Sequence, residues 1–186
     1  LNVPGMFNAQ NAIAAISAAM ELGVTAETCM HALKRFNGTW RRFERVGMYK
    51  GSEVVLDYGH HPTAIKETVG AACELFQNKK IVLCYQPHQH ARTKELFDDF
   101  VNTLIEIDAS VLLLPIYDVI GRNEASDISS KQIVEKVRSI NAEKNIIYSN
   151  NILEAKKDLE KTLDNQTVLI IMGAGDVDKF ARDLVK

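Results

Sequence analysis

From residue 62 to the end, short and continuously apolar runs alternate with longer amphipathic stretches, and this alternation limits the possible folds more than any other feature. Ile81-Val82-Leu83-Cys84 and Val168-Leu169-Ile170-Ile171-Met172 have no polar position on either face. Strands of that kind need cover on both sides, which is the situation of a parallel sheet between two layers of helices. Between the runs the apolar period changes: Ile65, Val69, Ala72, Cys73 and Phe76 line one face of a helix over 62–76, with Pro62 suited to its first turn. The same reading places strands at 80–85, 110–115, 145–148 and 167–172, helices at 93–107, 130–140 and 152–163, and a last helix from about Asp176. Ahead of them, 45–49 and 53–57 flank Lys50-Gly51-Ser52 as a hairpin. Residues 46–186 are therefore expected to form an open, mostly parallel α/β domain with a less regular first hairpin.

The first 40 residues or so have a different texture, Ala-rich and helical with no strand. Ala12, Ile13, Ile16 and Met20 recur at helical spacing until Gly23. Thr25 then suits the N-cap of a second helix with Met30, Leu33 and Phe36 on one face. Asn37-Gly38-Thr39-Trp40-Arg41-Arg42 has the composition of a linker between domains. With 186 residues, 46% of them hydrophobic, the chain can bury a core without disulfides or metal. Cys29, Cys73 and Cys84 are odd in number and far apart, which suits a reducing compartment. A net charge of -2 argues against a strongly basic nucleic-acid binder, and no apolar run approaches a membrane span. The start lacks the basic region of a signal peptide, and Leu1 in place of methionine suggests an excised piece of a longer chain.

In an open α/β sheet, ligands bind beyond the carboxyl ends of the strands. The chemically versatile residues gather there: Asp57-Tyr58-Gly59-His60-His61-Pro62, Gln86-Pro87-His88-Gln89-His90-Ala91-Arg92-Thr93, Tyr117-Asp118-Val119-Ile120-Gly121-Arg122 and Gly173-Ala174-Gly175-Asp176. Four of the five histidines lie on two of these loops. Three readings fit them. His60, His61, His88, His90, Asp57 and Cys84 could hold zinc, although adjacent histidines point apart and Cys84 sits inside an apolar strand. They could be ordinary loop or helix-capping residues. Or they could join Arg92 in receiving a small anionic molecule. Gly173-Ala174-Gly175-Asp176 could equally be a tight turn with Asp176 as N-cap or a backbone approach to an anion. Arg41, Arg42 and Arg45 could be a solvated linker face, or one of them could reach across a domain cleft to a phosphate. There is no G-x-x-x-x-G-K-[ST] and no G-x-S-x-G.

Four blocks resemble one family. Pro4-Gly5-Met6-Phe7-Asn8-Ala9-Gln10-Asn11-Ala12, Trp40-Arg41-Arg42-Phe43-Glu44, Asp57-Tyr58-Gly59-His60-His61-Pro62-Thr63 and Gln86-Pro87-His88 through Arg92-Thr93 are similar, in order and spacing, to the C-terminal part of the Mur ligases. The likeness is strongest to the branch that attaches L-alanine to UDP-N-acetylmuramate. It implies a cytoplasmic, ATP- and Mg2+-dependent enzyme of peptidoglycan synthesis that phosphorylates a carboxylate and lets an amine attack the acyl phosphate. It also implies that residues 1–40 are the closing helices of the central ATP-binding domain, and 41–186 a Rossmann-like amino-acid-binding domain. The UDP-sugar domain and the P-loop would then lie outside this chain, leaving it inactive alone.

By the same resemblance Asn8 and Asn11 face adenine, Asp57 meets the ribose and Arg42 approaches the phosphates. Tyr58, His60, His88 and Arg92 form the L-alanine pocket, Arg92 suiting the carboxylate, and Arg42 and His60 are the catalytic pair, with no metal ligand among them. Three positions depart from the pattern: Phe7 stands for a histidine, Gln89 for an arginine and Ala64 for a glutamate. Two other functions stay open, a related ligase that recycles murein tripeptide and a non-catalytic nucleotide- or ligand-binding module. Gln86-Pro87-His88 and Arg92-Thr93 favour the alanine ligase over the first, and the absent P-loop favours the second.

Overall fold

The computed structural model describes residues 1–117 and 127–186. Two helices lead, α1 (Met6–Glu21) and α2 (Ala26–Lys34), followed by β1 (Glu44–Tyr49), β2 (Ser52–Asp57), α3 (Pro62–Leu75), β3 (Lys80–Tyr85), α4 (His90–Glu95) and α5 (Phe97–Glu106). The rest is β4 (Ser110–Leu113), α6 (Ser130–Ile140), β5 (Ile146–Tyr148), α7 (Ile152–Glu160), β6 (Thr167–Met172) and α8 (Val177–Leu184). Local chemistry sets the helix starts. Thr25, His61 and Asn151 each accept a backbone N–H at an N-cap, Ser129 and Gln132 form a capping box, and Pro62 opens α3.

The strands form one sheet in the order β1-β2-β6-β3-β4-β5. β1 is antiparallel to β2, and every other pairing is parallel. The alternation of side chains across the pleat divides the core in two. Val55, Leu83, Tyr85, Ile170 and Met172 face α3, α5 and α6, while Leu56, Val82, Cys84, Leu112 and Ile171 face α7 and α8. The expected three-layer α/β fold is what the residues form, and β6, last in sequence, lies at its centre. Among the described residues no helix is long and apolar enough to cross a membrane.

Two elements differ from the sequence expectation. The single helix expected over 93–107 begins earlier and is broken: α4 starts at His90, and Leu96, with φ -101° and ψ 20°, separates it from α5. Leu96 packs against the core at this bend, so burial outweighs the helical period there. The β1–β2 turn is tighter than the sequence implied, with Lys50 and Gly51 both at positive φ, as a two-residue hairpin loop requires.

The leading helices pack on each other but bury little. Ala12 is the buried residue of α1, and Ile13 and Leu22 are 64% and 86% exposed. Exposure therefore separates two otherwise similar substitutions. Ile170→Ala, which opens a cavity in the central strand, is expected to destabilise the chain by about 3 kcal/mol. Ile13→Ala should stay within about 0.5 kcal/mol. Urea unfolding of the two variants checks both, and equal losses would mean that α1 is packed in solution.

Candidate active site

Because β6 sits between β2 and β3, the loops that leave these three strands meet at one edge of the sheet. The Gly173 N–H donates to the Asp57 carbonyl at 3.1 Å, and the Gln86 N–H to the Met172 carbonyl at 2.9 Å, so the ladders continue past the strand ends. The two glycines of the β6 loop are needed for close approach. A Cβ on Gly173, at φ 153°, would lie 2.8 Å from the Gln86 carbonyl oxygen. One on Gly175 would lie 2.5 Å from Gln86 Oε1 and 2.6 Å from the Tyr117 ring. At the next position Asp176 occupies the N-cap of α8, as the turn reading expects, although its side chain makes no capping hydrogen bond.

The linker folds onto the same edge. Arg41 and Phe43 both have left-handed backbone, at φ 55° and 48°, and Arg42 lies between them. The Phe43 N–H donates to Asp57 Oδ2 at 2.9 Å and the Gly59 N–H to Oδ1 at 2.7 Å, so both carboxylate oxygens are held. Burial pushes the Asp57 carboxyl above its ordinary value, against those two donors and the charges of Arg42 and Arg41.

The three arginines of this stretch separate. Arg45 pairs with Glu53 across the hairpin, and Arg42 is exposed and lines a cavity. Arg41, by contrast, is buried, with its guanidinium on the carbonyls of Gly173 and Gly175 at 2.6 and 3.3 Å. A solvated linker face therefore does not describe Arg41. Nothing in local sequence distinguishes the two adjacent arginines.

Beside Arg42 lies a cavity of about 910 Å³ between α1 and the start of α3, lined by Asn8, Asn11, Arg42, Asp57, Phe7 and Thr68 among others. All four residues assigned by resemblance to ATP thus share one cavity. Asn8 already donates its amide to the Pro4 carbonyl at 2.6 Å, which orients that side chain. Phe7, which stands where the family pattern has a histidine, packs partly buried against the core.

The second constellation lies next to it, across Tyr58. The Tyr58 and His60 rings meet edge to face at 5.6 Å, His60 and His88 lie 6.4 Å apart, and His88 stacks on Tyr117 at 5.5 Å. Burial lowers the His60 pKa, and the charges of Arg92 and then Arg42 add to this. His60 is thereby biased toward neutral imidazole, which can accept a proton. Arg92 rides on α4, whose entry residue Gln89 has φ 72° and donates its N–H to the Tyr117 carbonyl at 3.3 Å. Tyr117 is the site residue with least sequence signal, because nothing local indicates that it will stack on His88. Asp118, Val119, Ile120, Gly121 and Arg122 of the same loop lie outside the described residues.

The zinc set is not brought together. Cys84 lies in β3 on the face toward α7 and α8, and burial pushes its thiol up to about 12. His61 caps α3, and His90 Nδ1 lies 3.1 Å from the Ile128 carbonyl. Among the described residues, no group of three His, Cys, Asp or Glu side chains is placed to hold a metal ion.

Residues 41–175 match the family model described as "Mur ligase, glutamate ligase domain". The chain belongs to the Mur ligase family. Among curated Mur ligases it is 38% identical over 186 residues to the UDP-N-acetylmuramate--L-alanine ligase of Lachnospira eligens, covering 100% of this chain and 39% of that one. It is 39% identical to the ligase of the same name from Hydrogenovibrio crunogenus, covering 98% of this chain and 40% of that one. Among solved structures, the UDP-N-acetylmuramate-alanine ligase of Thermotoga maritima superposes with a TM-score of 0.79 at 28% identity, over 98% of this chain and 38% of that one. A murein peptide ligase from Psychrobacter arcticus shares the fold, with a TM-score of 0.71 at 22% identity, over 97% of this chain and 36% of that one. The chain thus spans about 40% of the length of the curated Mur ligases it matches.

Proposed function

We propose that this chain is the amino-acid-binding part of a cytoplasmic, ATP-dependent ligase that joins L-alanine to UDP-N-acetylmuramate through an acyl phosphate, in peptidoglycan synthesis. Residues 1–40 are the closing helices of its central nucleotide-binding domain and 41–186 its C-terminal domain. The observation that carries the reading is the adjacency of two sites across one ring. Arg42 Cζ lies 5.3 Å from the centroid of Tyr58, with the Asn8–Asn11–Asp57 cavity beside Arg42 and the His60–His88 rings beyond Tyr58. A ligase needs this arrangement, because the nucleotide and the amine must reach one carboxylate. The names of the relatives at 38% and 39% identity support the choice of acceptor.

In this reading Asn8 and Asn11 meet the adenine edge and Asp57 the ribose. Arg42 lies along the phosphates, offsetting charge as the phosphoryl group moves to the substrate carboxylate. Arg92 pairs with the carboxylate of L-alanine, Tyr58 and His88 wall the pocket, and neutral His60 takes a proton from the amine that attacks the acyl phosphate. Closure of the domains keeps water from the acyl phosphate. Magnesium would offset the charge of the phosphates in this chemistry, and we assign its ligands mostly to the part of the ligase outside this chain, since among the described residues no group of three His, Cys, Asp or Glu side chains is placed to hold a metal ion.

The test is an acceptor panel on the full-length protein, following phosphate release with UDP-N-acetylmuramate, ATP and magnesium. L-alanine is expected to exceed glycine, L-serine and murein tripeptide, and the 186-residue chain alone to show no turnover. Preference for the tripeptide would make the protein a recycling ligase. No turnover with any acceptor would favour a binding module.

A further inference from the structure

The reaction as proposed gives Arg41 no part, yet it is as deeply buried as Asp57. It is 6% exposed, and its guanidinium sits on two carbonyls of the β6 loop at 2.6 and 3.3 Å. Among the described residues no carboxylate lies within ion-pair distance of it, and its Nε is buried without a hydrogen-bond partner. The nearby Asp57 and Glu44 carboxylates feel its charge without bonding the guanidinium, whose direct partners are neutral carbonyls, and a buried cation held in that way is costly to keep. The backbone is also in a sparsely populated region, left-handed at Arg41 and again at Phe43. A stretch optimised for stability alone would not combine these features, and strain of this kind gathers where geometry serves function.

The contacts indicate which geometry is held. Arg41 Cζ lies 4.8 Å from the Tyr58 ring centroid and 5.4 Å from that of Trp40, so the cation lies against both rings. The Arg41 carbonyl accepts the Tyr58 N–H at 2.8 Å, holding the same residue by its backbone. Its own N–H donates to Glu44 Oε2 at 2.8 Å, and Glu44 is tied to Arg182 of α8 by a two-pronged pair at 2.8 and 3.1 Å. One residue, through its backbone and its guanidinium, thus joins the linker, the start of the β2 loop and the glycine turn of β6.

We propose that Arg41 is a positioning residue for the acceptor amino acid: clamped on the Gly173 and Gly175 carbonyls, it holds the Tyr58 ring and the glycine turn in the shape that receives L-alanine. It makes no contact with the nucleotide. This rests on the function proposed above.

Two variants test it in the full-length protein, with the wild type assayed alongside. Arg41→Lys keeps the charge and loses the flat fork, and Arg41→Gln keeps a donor for one carbonyl and loses the cation over Tyr58. Each is expected to raise the L-alanine KM about tenfold with the ATP KM within about twofold, the pattern of a misplaced acceptor pocket. In a Tyr58→Leu background the same changes should have little further effect, because the ring through which Arg41 acts is gone. A merely structural arginine would lower kcat through loss of folded enzyme and leave both KM values alone. That result, or equal rises in both KM values, overturns the proposal while the wild-type enzyme remains an alanine ligase. Failure of the wild type to use L-alanine would overturn the function and this role with it.

Discussion

Arg42→Ala is expected to lower the kcat of the full-length ligase about a thousandfold while changing the L-alanine KM little. Several features support the proposal that Arg42 lies on the nucleotide side. It is exposed where its neighbour is buried, it lines the cavity with Asn8, Asn11 and Asp57, and among the described residues it forms no ion pair with a carboxylate. A guanidinium offered to a phosphoryl group in transfer stabilises charge that develops only in the transition state, so its loss falls on kcat. A thousandfold corresponds to about 4 kcal/mol, reasonable for a charge-assisted contact in a closed site. Arg45→Ala is the control, because Arg45 is tied to Glu53 across the hairpin and lines a different cavity. Steady-state rates for both variants decide it, and a kcat for Arg42→Ala near the wild-type value would remove Arg42 from the chemistry.

Arg92→Ala is expected to act on the other substrate, raising the L-alanine KM by about 10²- to 10³-fold with ATP binding nearly intact. A second readout comes from His60. The cation at Arg92 disfavours protonation of that imidazole, so removing it should raise the His60 pKa from its lowered value toward the ordinary one. The sign carries into catalysis. If His60 must be neutral to take the proton, the acid limb of the rate profile moves to higher pH in Arg92→Ala. NMR titration of the His60 ring and the pH profile of kcat should move together. Equal effects on ATP and alanine KM values, or an unmoved His60, would contradict the role of Arg92.

Part of the grouping of these residues was legible in the sequence. Asn8, Asn11, Arg42 and Asp57 are far apart in the chain, and the fold brings all four to one cavity, as the family resemblance groups them. Tyr58, His60 and His88 likewise form one chain of rings. Three contributions were not legible. Arg41 carries the same charge as Arg42, and only the left-handed turns on either side of Arg42 direct one side chain inward and the next outward. Tyr117 comes to stack on His88 because the loops after β3 and β4 pair beyond the sheet, with the Tyr117 N–H donating to the Pro87 carbonyl at 2.8 Å. Glu44 and Arg182 are 138 residues apart, and it is the assembled sheet that brings α8 against β1.

The sequence by itself determined the layers of this protein: where strands and helices lie, which strands need cover on both faces, and at which strand ends the reactive residues fall. Those properties follow from the period of apolar side chains and from Gly, Pro and capping residues, which act over a few positions. Only the tertiary structure decided that the last strand enters between β2 and β3, bringing the Gly173–Gly175 turn against Asp57, Gln86 and Arg41. Strand order depends on which crossovers pack over the finished sheet, and that free energy resides in contacts between distant residues rather than in any local pattern.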